Sequence, residues 1–494
     1  MANTQQLLLT TDEMYQADRL AIENGQTGFV LMERAGRAVA EVAGGMLGDR
    51  SGRSVLILAG PGKNGGDGFV AARALFEKGH HVLVCCPFGT DGYQGESLKH
   101  FRLLPFKARG TPVFEDFLDA DLIVDALFGA GLSRPLEGMA AHCALWAKES
   151  GTGVLSVDVP SGYDGSSGKK VGDIVFSAEK TVTFFRKRRA HCLYPAKADC
   201  GEIICADIGI DDAVLERIAP DVEENVPALW KEDIPQRQWN THKYHFGQAL
   251  IACGEMPGAT VLASRACQRT GAGLVRVLCN PELKSLFLQN SASLVLHDQK
   301  AEAAEISGMA KLSALMIGQG GGTHPDLKQD VLGFLEAQLP TVLDADGLSV
   351  FRDAPDELFA KLHRNCVLTP HEGEFSRLFP GLDPEGDRIE AVRQAARQAG
   401  AVVLLKGAST IIADPDGMVR LSSPFASFHL ATAGSGDVLG GIICGLLAQG
   451  LTAFQAASAG AWLHSCAGYH LGQGLIADDL PEALPAVFEQ LRSV

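Results

Sequence analysis

The sequence predicts an α/β protein with two domains, each built on a parallel β-sheet that helices cover. Apolar segments of strand length alternate with amphipathic helical segments, which is the pattern of a parallel sheet with crossover helices. A proline-rich stretch interrupts this alternation near the middle of the chain. The length of 494 residues is too great for one ordinary core, and an apolar content of 46% can fill two.

The first α/β series runs from about residue 54 to residue 210. Before it, residues 11–42 are predicted to be helical, with the capping sequence "TTDE" at the start. The strand "SVLILAG" leads to the helix "GFVAARALFEKG", and the strand "HVLVCCP" follows. The segments "ADLIVDALFGAG" and "TGVLSVDVPSG" then repeat one pattern, in which an apolar strand ends on aspartate and a glycine-containing loop follows.

A domain boundary is predicted after this series, because residues 212–246 carry Pro220, Pro227 and Pro235. We place the first domain at residues 1–218, a linker at 219–240 and the second domain at 241–494. The last helices are predicted at 438–449 and 453–471. The strands of the second series are "QALIACG", "GLVRVLC", "ALMIGQG", "TVLDADG", "CVLTPHEGE" and "AVVLLKGA".

The composition argues against several classes of partner. A net charge of −16 disfavours nucleic acid, and the one basic cluster, "FFRKRRAH" at 184–191, is expected to be a solvated surface. We expect neither a membrane span nor a secretory signal, since no long apolar run and no basic leader occur. The 12 scattered cysteines show no C-x-x-C pair, which favours reduced thiols, a cytoplasmic location and no Cys/His metal cluster.

The first candidate site lies where the strands of the first series end. "GPGKNGGDGF" contains G-x-G-x-x-G, which a tight strand-to-helix turn explains without any ligand. Asn64, Asp125 and Asp158 nevertheless follow three strands, and such strand ends line one edge of a parallel sheet. Together with Ser161 they offer only oxygen ligands, which suit a hard cation, monovalent ions included. The loop "GAGLSRP" could hold phosphate through its backbone.

The second candidate site combines four loops that each follow a strand. They are "GQGGG", "TPHEGE" with His371, "LKGAST" with Lys406, and "ATAGSGD" with Asp437. His371 alone is explained by a structural hydrogen bond, and Lys406 alone fits contact with solvent and contact with phosphate equally well. The four together favour phosphate chemistry, in which backbone N–H groups before a helix hold the anion and Asp437 accepts a proton from a hydroxyl. The residues alone therefore predict the fold of a small-molecule kinase.

The motifs resemble those of a known family. G-x-G-x-N-G-G-D-G, "VDALFGAGL" and "VDVPSG" resemble NAD(P)H-hydrate epimerases. "LDADGL", "LTPHEGEFSRL", "LKGAST" and "ATAGSGDVLGG" resemble ADP-dependent NAD(P)H-hydrate dehydratases. Their order, over about residues 10–490, is similar to that of the bifunctional NAD(P)H-hydrate repair family. The resemblance implies two three-layer α/β/α domains, Rossmann-like at the N-terminus and ribokinase-like at the C-terminus.

The resemblance also implies an activity for each domain. The family repairs nicotinamide cofactors in which water has added at C6 of the reduced ring. The epimerase domain would interconvert the R and S hydrates, NADHX and NADPHX, with a potassium ion. The dehydratase domain would use ADP, with magnesium, to convert the S hydrate to NADH or NADPH, giving AMP and phosphate. A homo-oligomer is expected.

Site residues follow from the same resemblance. Potassium would bind Asn64, Asp125 and Ser161. Asp437 would act as the base in the second domain, and Asp158 would shuttle protons in the first. The epimerase substrate would contact Lys63, Asn64, Gly65, Gly66, Asp67, Gly129, Ala130, Gly131, Leu132, Ser133, Arg134, Pro135 and Asp158. The dehydratase substrate would contact Ala259, Gly322, His371 and Asp437. ADP would contact Lys406, Gly407, Ala408, Ser409, Thr410, Ser427, Ala433, Gly434, Ser435 and Gly436.

Three departures and two alternatives accompany this hypothesis. Lys63 stands where the family usually has Asn, and it adds positive charge near the expected cation; "GAGLSRP" and "GQGGG" also differ from the usual loops. A ribokinase-like vitamin or sugar kinase would instead release a stable phosphate ester. The first domain could also be only a binding module, without epimerase activity.

Overall fold

The computed structural model describes residues 4–48, 51–298, 309, 311–322, 325–422 and 428–493. The chain divides into two compact units, residues 1–222 (the first unit) and 223–494 (the second unit). Each unit contains a largely or wholly parallel sheet with helices on both faces, which confirms the prediction of two α/β/α domains.

In the first unit, six described strands form a parallel sheet in the order β2-β1-β3-β4-β5-β6. These strands are β1 (Ser54–Ala59), β2 (His81–Cys85), β3 (Leu122–Ala126), β4 (Val154–Val157), β5 (Lys180–Phe184) and β6 (Glu202–Ala206). The helices are α1 (Thr11–Glu23), α2 (Gly28–Leu47), α3 (Lys63–Glu77), α4 (Gly95–Arg102), α5 (Phe114–Leu118), α6 (Gly138–Ser150), α7 (Ala196–Asp199) and α8 (Val214–Ile218).

Alternate residues of β1 serve two separate cores, as the two-residue period of a strand requires. Val55 and Ile57 pack with residues of α2 and α3 on one face of the sheet. Leu56 and Leu58 pack with residues of α6 on the other face. The continuous apolar run of this strand therefore reflects burial on both sides.

The N-terminal helical prediction is correct in type but not in continuity. The chain forms α1 and α2 with a break between them, because Gly25 has φ +96° and Thr27 caps the next helix. The predicted cap of α1 is confirmed: Thr10 accepts a hydrogen bond from the Glu13 N–H, and Glu13 accepts one from the Thr10 N–H.

In the second unit, the described strands form one mixed sheet in the order β10-β9-β8-β11-β12-β13-β14-β15-β16-β7. Pairing is parallel from β10 to β14 and antiparallel between β14, β15 and β16. These strands are β7 (Val222–Asn225), β8 (Gln248–Ala252), β9 (Leu274–Cys279), β10 (Val295–Asp298), β11 (Ala314–Ile317), β12 (Thr341–Leu343), β13 (Cys366–Leu368), β14 (Val402–Leu405), β15 (Ile411–Ala413) and β16 (Val419–Ser422).

Two groups of helices cover this second sheet. Helices near the chain's C-terminal end share a large core with one face of the sheet, and a helix at 388–399 packs against the neighbouring strands β14 and β15. The helices are α9 (Pro257–Thr270), α10 (Lys284–Asn290), α11 (Pro325–Glu336), α12 (Asp346–Ser349), α13 (Pro355–Phe359), α14 (Glu372–Leu378), α15 (Arg388–Ala399), α16 (Ser435–Ala448), α17 (Ala453–Leu471) and α18 (Asp479–Ser493).

The segment predicted as a linker, residues 219–240, contains ordered elements. It includes the whole edge strand β7 and two short 3₁₀ turns. Trp230 in this segment is buried, and its indole N–H donates to the Asn225 side chain at 3.0 Å. Asn225 in turn donates to the Ser458 carbonyl at 2.7 Å, so this part of the segment packs onto the second unit. Along the stretches that the structure describes, no helix is long and apolar enough to cross a membrane.

Candidate active sites

A cavity of about 840 Å³ lies at the carboxyl ends of the strands in the first unit. Its wall brings together the start of α3, the loop after β3 and the residue after β4, which are the three strand ends that the sequence singled out. Most of the predicted epimerase residues line it, namely Lys63, Asn64, Asp67, Gly129, Ala130, Gly131, Leu132, Ser133, Arg134 and Asp158.

The remaining predicted residues of these loops serve close packing. A Cβ on Gly65 would collide with the Gly60 carbonyl, and one on Gly66 would lie 2.5 Å from the Met32 sulfur. Pro135 packs against Gly172, where a Cβ would lie 2.9 Å from it. Glycine at 65 and 66 thus lets α3 begin at Lys63, five residues earlier than the apolar pattern indicates.

Asp158 is the most constrained residue of this cavity. Its φ of +68° is rare for a residue with a side chain. One carboxylate oxygen accepts the Ala130 N–H at 2.9 Å, and the other accepts the Thr183 hydroxyl at 3.1 Å and lies 3.1 Å from Arg188. Burial alone would raise the pKa of this carboxyl, but Arg188 and these hydrogen bonds outweigh it and lower the pKa, so Asp158 is ionised.

Arg188 and His191 are site residues that the sequence motifs did not indicate. Arg188 is buried, and its backbone N–H donates to His191 Nδ1 at 2.9 Å. That bond leaves the proton on Nε2, which donates to the Asp158 carbonyl at 2.8 Å. The expectation that "FFRKRRAH" forms a solvated surface is therefore wrong for Arg186 and Arg188, which are both buried. The sequence feature that could have indicated Arg188 and His191 is the basic run that follows strand β5.

Two of the three predicted potassium ligands are in direct contact. Both oxygens of Asp125 accept hydrogen bonds from Ser161, from its N–H at 2.8 Å and its hydroxyl at 2.6 Å. Burial raises the pKa of Asp125 to about 6, against the effect of these bonds. Asn64 lines the cavity beside Gly129 and Asp158, whereas Asp125 and Ser161 are not among its lining residues. The buried amide nitrogen of Asn64 has no hydrogen-bond partner.

The donor set as a whole is compatible with a hard cation. Asn64, Asp125 and Ser161 supply only oxygen ligands, as potassium prefers. Within the described ranges, no group of three or more His, Cys, Asp or Glu side chains could hold a metal ion. A transition-metal centre is therefore not indicated there.

The charge of Lys63 is already paired. Its ammonium lies 2.8 Å from Asp18 on α1 and 5.4 Å from the centre of the Tyr15 ring. Asp67, in contrast, is buried, and its pKa is raised well above the usual value by burial and by the charges of Asp158 and Asp18. The cavity thus contains one ionised carboxylate at Asp158 and one carboxyl group at Asp67 that favours its protonated form.

In the second unit, the predicted anion cradle forms the start of α16. Gly434 occupies the N-cap with φ +88°, and a Cβ there would lie 2.5 Å from Leu262. Ser435 is buried and its hydroxyl lies 3.0 Å from His464 Nε2. Gly436 and Asp437 complete the first turn, so the backbone N–H groups of a helix start and a carboxylate occupy the same helix end.

Lys406 and Asp437 belong to one charged cluster with Asp344. The Lys406 ammonium lies 2.7 Å from an oxygen of Asp344, which is buried. Burial, followed by the charge of Asp344, raises the pKa of Asp437 to about 6, while Lys406 acts in the opposite direction. Glu374 is also close enough to raise the pKa of Lys406. Asp344 was not among the predicted site residues. It nevertheless follows the apolar strand "TVL" directly, and an aspartate at a strand end was the feature that indicated Asp125.

His371 caps a helix and remains half exposed. Its Nδ1 accepts the Gly373 N–H at 3.0 Å, and its own N–H donates to Glu374 at 2.8 Å. Its Nε2 lies 3.4 Å from the other Glu374 oxygen. The structural hydrogen bond considered from the sequence is thus present, and 53% exposure leaves the ring accessible to a ligand.

The other predicted substrate and ADP residues occupy neighbouring loops. Gly322 donates its N–H to Asp346 at 3.0 Å. Ala259, on α9, lies beside Gly320, which belongs to the same loop as Gly322. Gly407 faces the Arg388 guanidinium, from which a Cβ would be 2.6 Å away. Ser427 lies outside the described residues, whereas the rest of the predicted ADP set is described: Gly407, Ala408, Ser409, Thr410, Ala433, Gly434, Ser435 and Gly436 with Lys406.

Comparison with known proteins matches both units. Residues 249–485 match the family model described as NAD(P)H-hydrate dehydratase, and residues 28–190 match that described as YjeF-related protein N-terminus. The bifunctional NAD(P)H-hydrate repair enzyme Nnr of Moorella thermoacetica is 32% identical, over 98% of this chain and 97% of that protein. The Nnr of Coxiella burnetii is also 32% identical, over 96% of this chain and 98% of that protein.

A solved structure is similar to the C-terminal part. It is an ADP/ATP-dependent NAD(P)H-hydrate dehydratase from Bacillus subtilis, co-crystallised with ATP and Mg²⁺. The two chains are 29% identical, with a TM-score of 0.45, over 52% of this chain and 94% of the other.

Proposed function

The chain belongs to the bifunctional NAD(P)H-hydrate repair family, and from that premise we propose how its two units divide the repair of hydrated NADH and NADPH. The first unit epimerises the R and S hydrates. The second unit converts the S hydrate to NADH or NADPH and uses ADP, which gives AMP and phosphate.

The dehydratase proposal depends above all on Asp437, a carboxylate in the first turn of α16, whose neighbour Gly436 lies next to the Lys406 ammonium. Hydroxide is a poor leaving group at neutral pH, and phosphate is a far better one. Asp437 takes the proton of the C6 hydroxyl, and the oxygen attacks the terminal phosphorus of ADP, so that AMP leaves. Phosphate then leaves C6 as the lone pair of the ring nitrogen forms an iminium, and loss of a proton from C5 re-forms the C5=C6 double bond. The N–H groups of the cradle and the Lys406 ammonium stabilise the phosphoryl charge during transfer.

Magnesium accompanies the phosphates of ADP in this proposal and neutralises part of their charge. Within the described residues, no group of three or more His, Cys, Asp or Glu side chains could hold a metal ion, so the phosphates of ADP would be its main ligands.

Asp437→Asn tests the dehydratase proposal. The variant should lose ADP-dependent recovery of reduced-nicotinamide absorbance from the S hydrate, while binding of ADP and hydrate is largely kept. Undiminished recovery would contradict the assignment. Product analysis of the native protein separates this activity from that of a kinase: repair gives free phosphate and NADH, whereas a kinase gives a stable phosphate ester.

In the epimerase proposal, the cavity of the first unit binds the hydrate, and a potassium ion at Asn64, Asp125 and Ser161 organises it. Asp158 moves the proton at the C6 hydroxyl, in line with its place on the cavity wall. Asp158→Ala should leave only the uncatalysed interconversion of R and S hydrates, followed by chiral chromatography. If the native protein is faster than the uncatalysed reaction and Asp158→Ala matches it, another group moves the proton. If the native protein itself is no faster than the uncatalysed reaction, the cavity is only a binding module.

A further inference from the structure

The ion pair between Asp344 and Lys406 is fixed from the end of a strand. Asp344 follows β12, and its side chain is 2% exposed, compared with 23% for Lys406. The oxygen that contacts the Lys406 ammonium at 2.7 Å also accepts the Ala345 N–H at 2.9 Å. Asp344 therefore has little freedom, and the ammonium is held wherever this carboxylate places it.

The pair lies directly against the glycine-lined part of α16. A Cβ on Gly436 would be 3.5 Å from the Lys406 nitrogen and 3.9 Å from an Asp344 oxygen. A Cβ on Gly440, one turn later, would be 3.8 Å from the same oxygen. The ion pair therefore lies in van der Waals range of the first turns of α16, which carry the anion cradle and Asp437.

The balance of charge shows what the ammonium would do without Asp344. The groups that act on Lys406 are Asp344, Glu374 and Asp437. The charged groups that act on Asp437 are Asp344 and Lys406. The nearby His464 is neutral at pH 7, because burial lowers its pKa to about 4. Without Asp344, the ammonium would be attracted to Glu374 and Asp437, and an ion pair with Asp437 would make that carboxylate a weaker base.

We propose that Asp344 is a positioning residue of the ADP-dependent step: it holds the Lys406 ammonium under the cradle and away from Asp437. The ammonium then faces the transferred phosphoryl group, and Asp437 remains an unpaired base. This inference rests on the dehydratase function proposed above. Asp344 itself forms and breaks no bond during the reaction.

Asp344→Asn provides the first test. The kcat of S-hydrate dehydration should fall about 10-fold to 100-fold with a nearly unchanged KM for the hydrate, as when one stabilising donor is misplaced. The acid limb of the pH–rate profile should also move to lower pH, because Asp437 loses the repulsion of Asp344 and a released Lys406 pairs with Asp437. The same substitution made in Lys406→Met removes only the repulsion, so the limb should move less there, and equal movement in both backgrounds would overturn the proposal. The control is Glu336→Gln, which breaks the exposed Glu336–Lys361 pair and should change neither quantity.

Lys406→Met and the double variant with Asp344→Asn provide the second test. If Asp344 acts only through Lys406, the two proteins should differ in kcat by less than about threefold, because the effects of coupled residues are not additive. A further large loss in the double variant would overturn the proposal. This comparison remains decisive even if Asp344→Asn alone fails to fold, since the double variant leaves no unpaired charge. Thermal unfolding followed by circular dichroism reports whether each variant has folded, and a native protein without dehydratase activity would refute the proposed function instead.

Discussion

At the scale of single residues, both sites place carboxyl groups in contrasting environments. Asp158 is surrounded by an arginine and hydrogen-bond donors, whereas Asp437 faces a second carboxylate. The sequence indicated these two residues because each stands at a strand end or helix start next to glycines. It could not indicate Arg188, His191 or Asp344 as their partners, because those contacts join residues far apart in the chain and depend on tertiary packing.

The environment of Asp437 predicts the pH dependence of dehydration. Burial and Asp344 raise the pKa of Asp437 to about 6, and a base acts only when it is deprotonated. With saturating ADP and S hydrate, kcat should be level above this pKa and should fall about tenfold for each pH unit below it. Initial rates of reduced-nicotinamide formation measure this profile, and return of the sample to neutral pH checks that the loss is reversible. A level profile through this range would contradict the role of Asp437.

At the scale of elements, the alternation of strands and helices was predictable, because strands buried on both faces leave long apolar runs. The start of α3 was less predictable, since its first turn is rich in glycine, a poor helix former that close packing requires here. The antiparallel hairpin of β15 and β16 was also missed. Its turn signal is "DPDG", in which Asp414 accepts the N–H of Gly417 at 2.8 Å and Gly417 has φ +108°.

The loop after β3 provides a prediction for the epimerase site. Gly129→Ala would place a Cβ 2.9 Å from an Asp158 oxygen and 3.1 Å from the Asn64 side-chain oxygen. Both groups must move, so epimerisation should fall about 100-fold, as expected for displacement of a catalytic group by about 1 Å. Chiral chromatography of the hydrates measures the rate. Gly110→Ala is the control, because its Cβ would have nothing within 4 Å. Equal rates for both variants would show that this loop does not shape the active cavity.

At the scale of the whole molecule, two compact units each carry a site formed from their own strand ends. This division was visible in the sequence as two α/β series with prolines between them. The packing of residues 219–240 was not, because buried contacts such as that of Trp230 with Asn225 leave no periodic pattern in so short a segment.

Two units with separate sites predict that a defect in one chain can be corrected by another. Given a mixture of R and S hydrates with ADP, the native protein should convert both to NADH. Gly129→Ala should rapidly convert only the S fraction, and the R fraction should follow at the rate of uncatalysed epimerisation. Addition of Asp437→Asn, which keeps the epimerase site but lacks the base of the dehydratase, should restore rapid and complete conversion, because the S hydrate can diffuse between chains. Failure of the mixture, while Asp437→Asn alone still epimerises the hydrates, would mean that the hydrate must pass between the units of one chain.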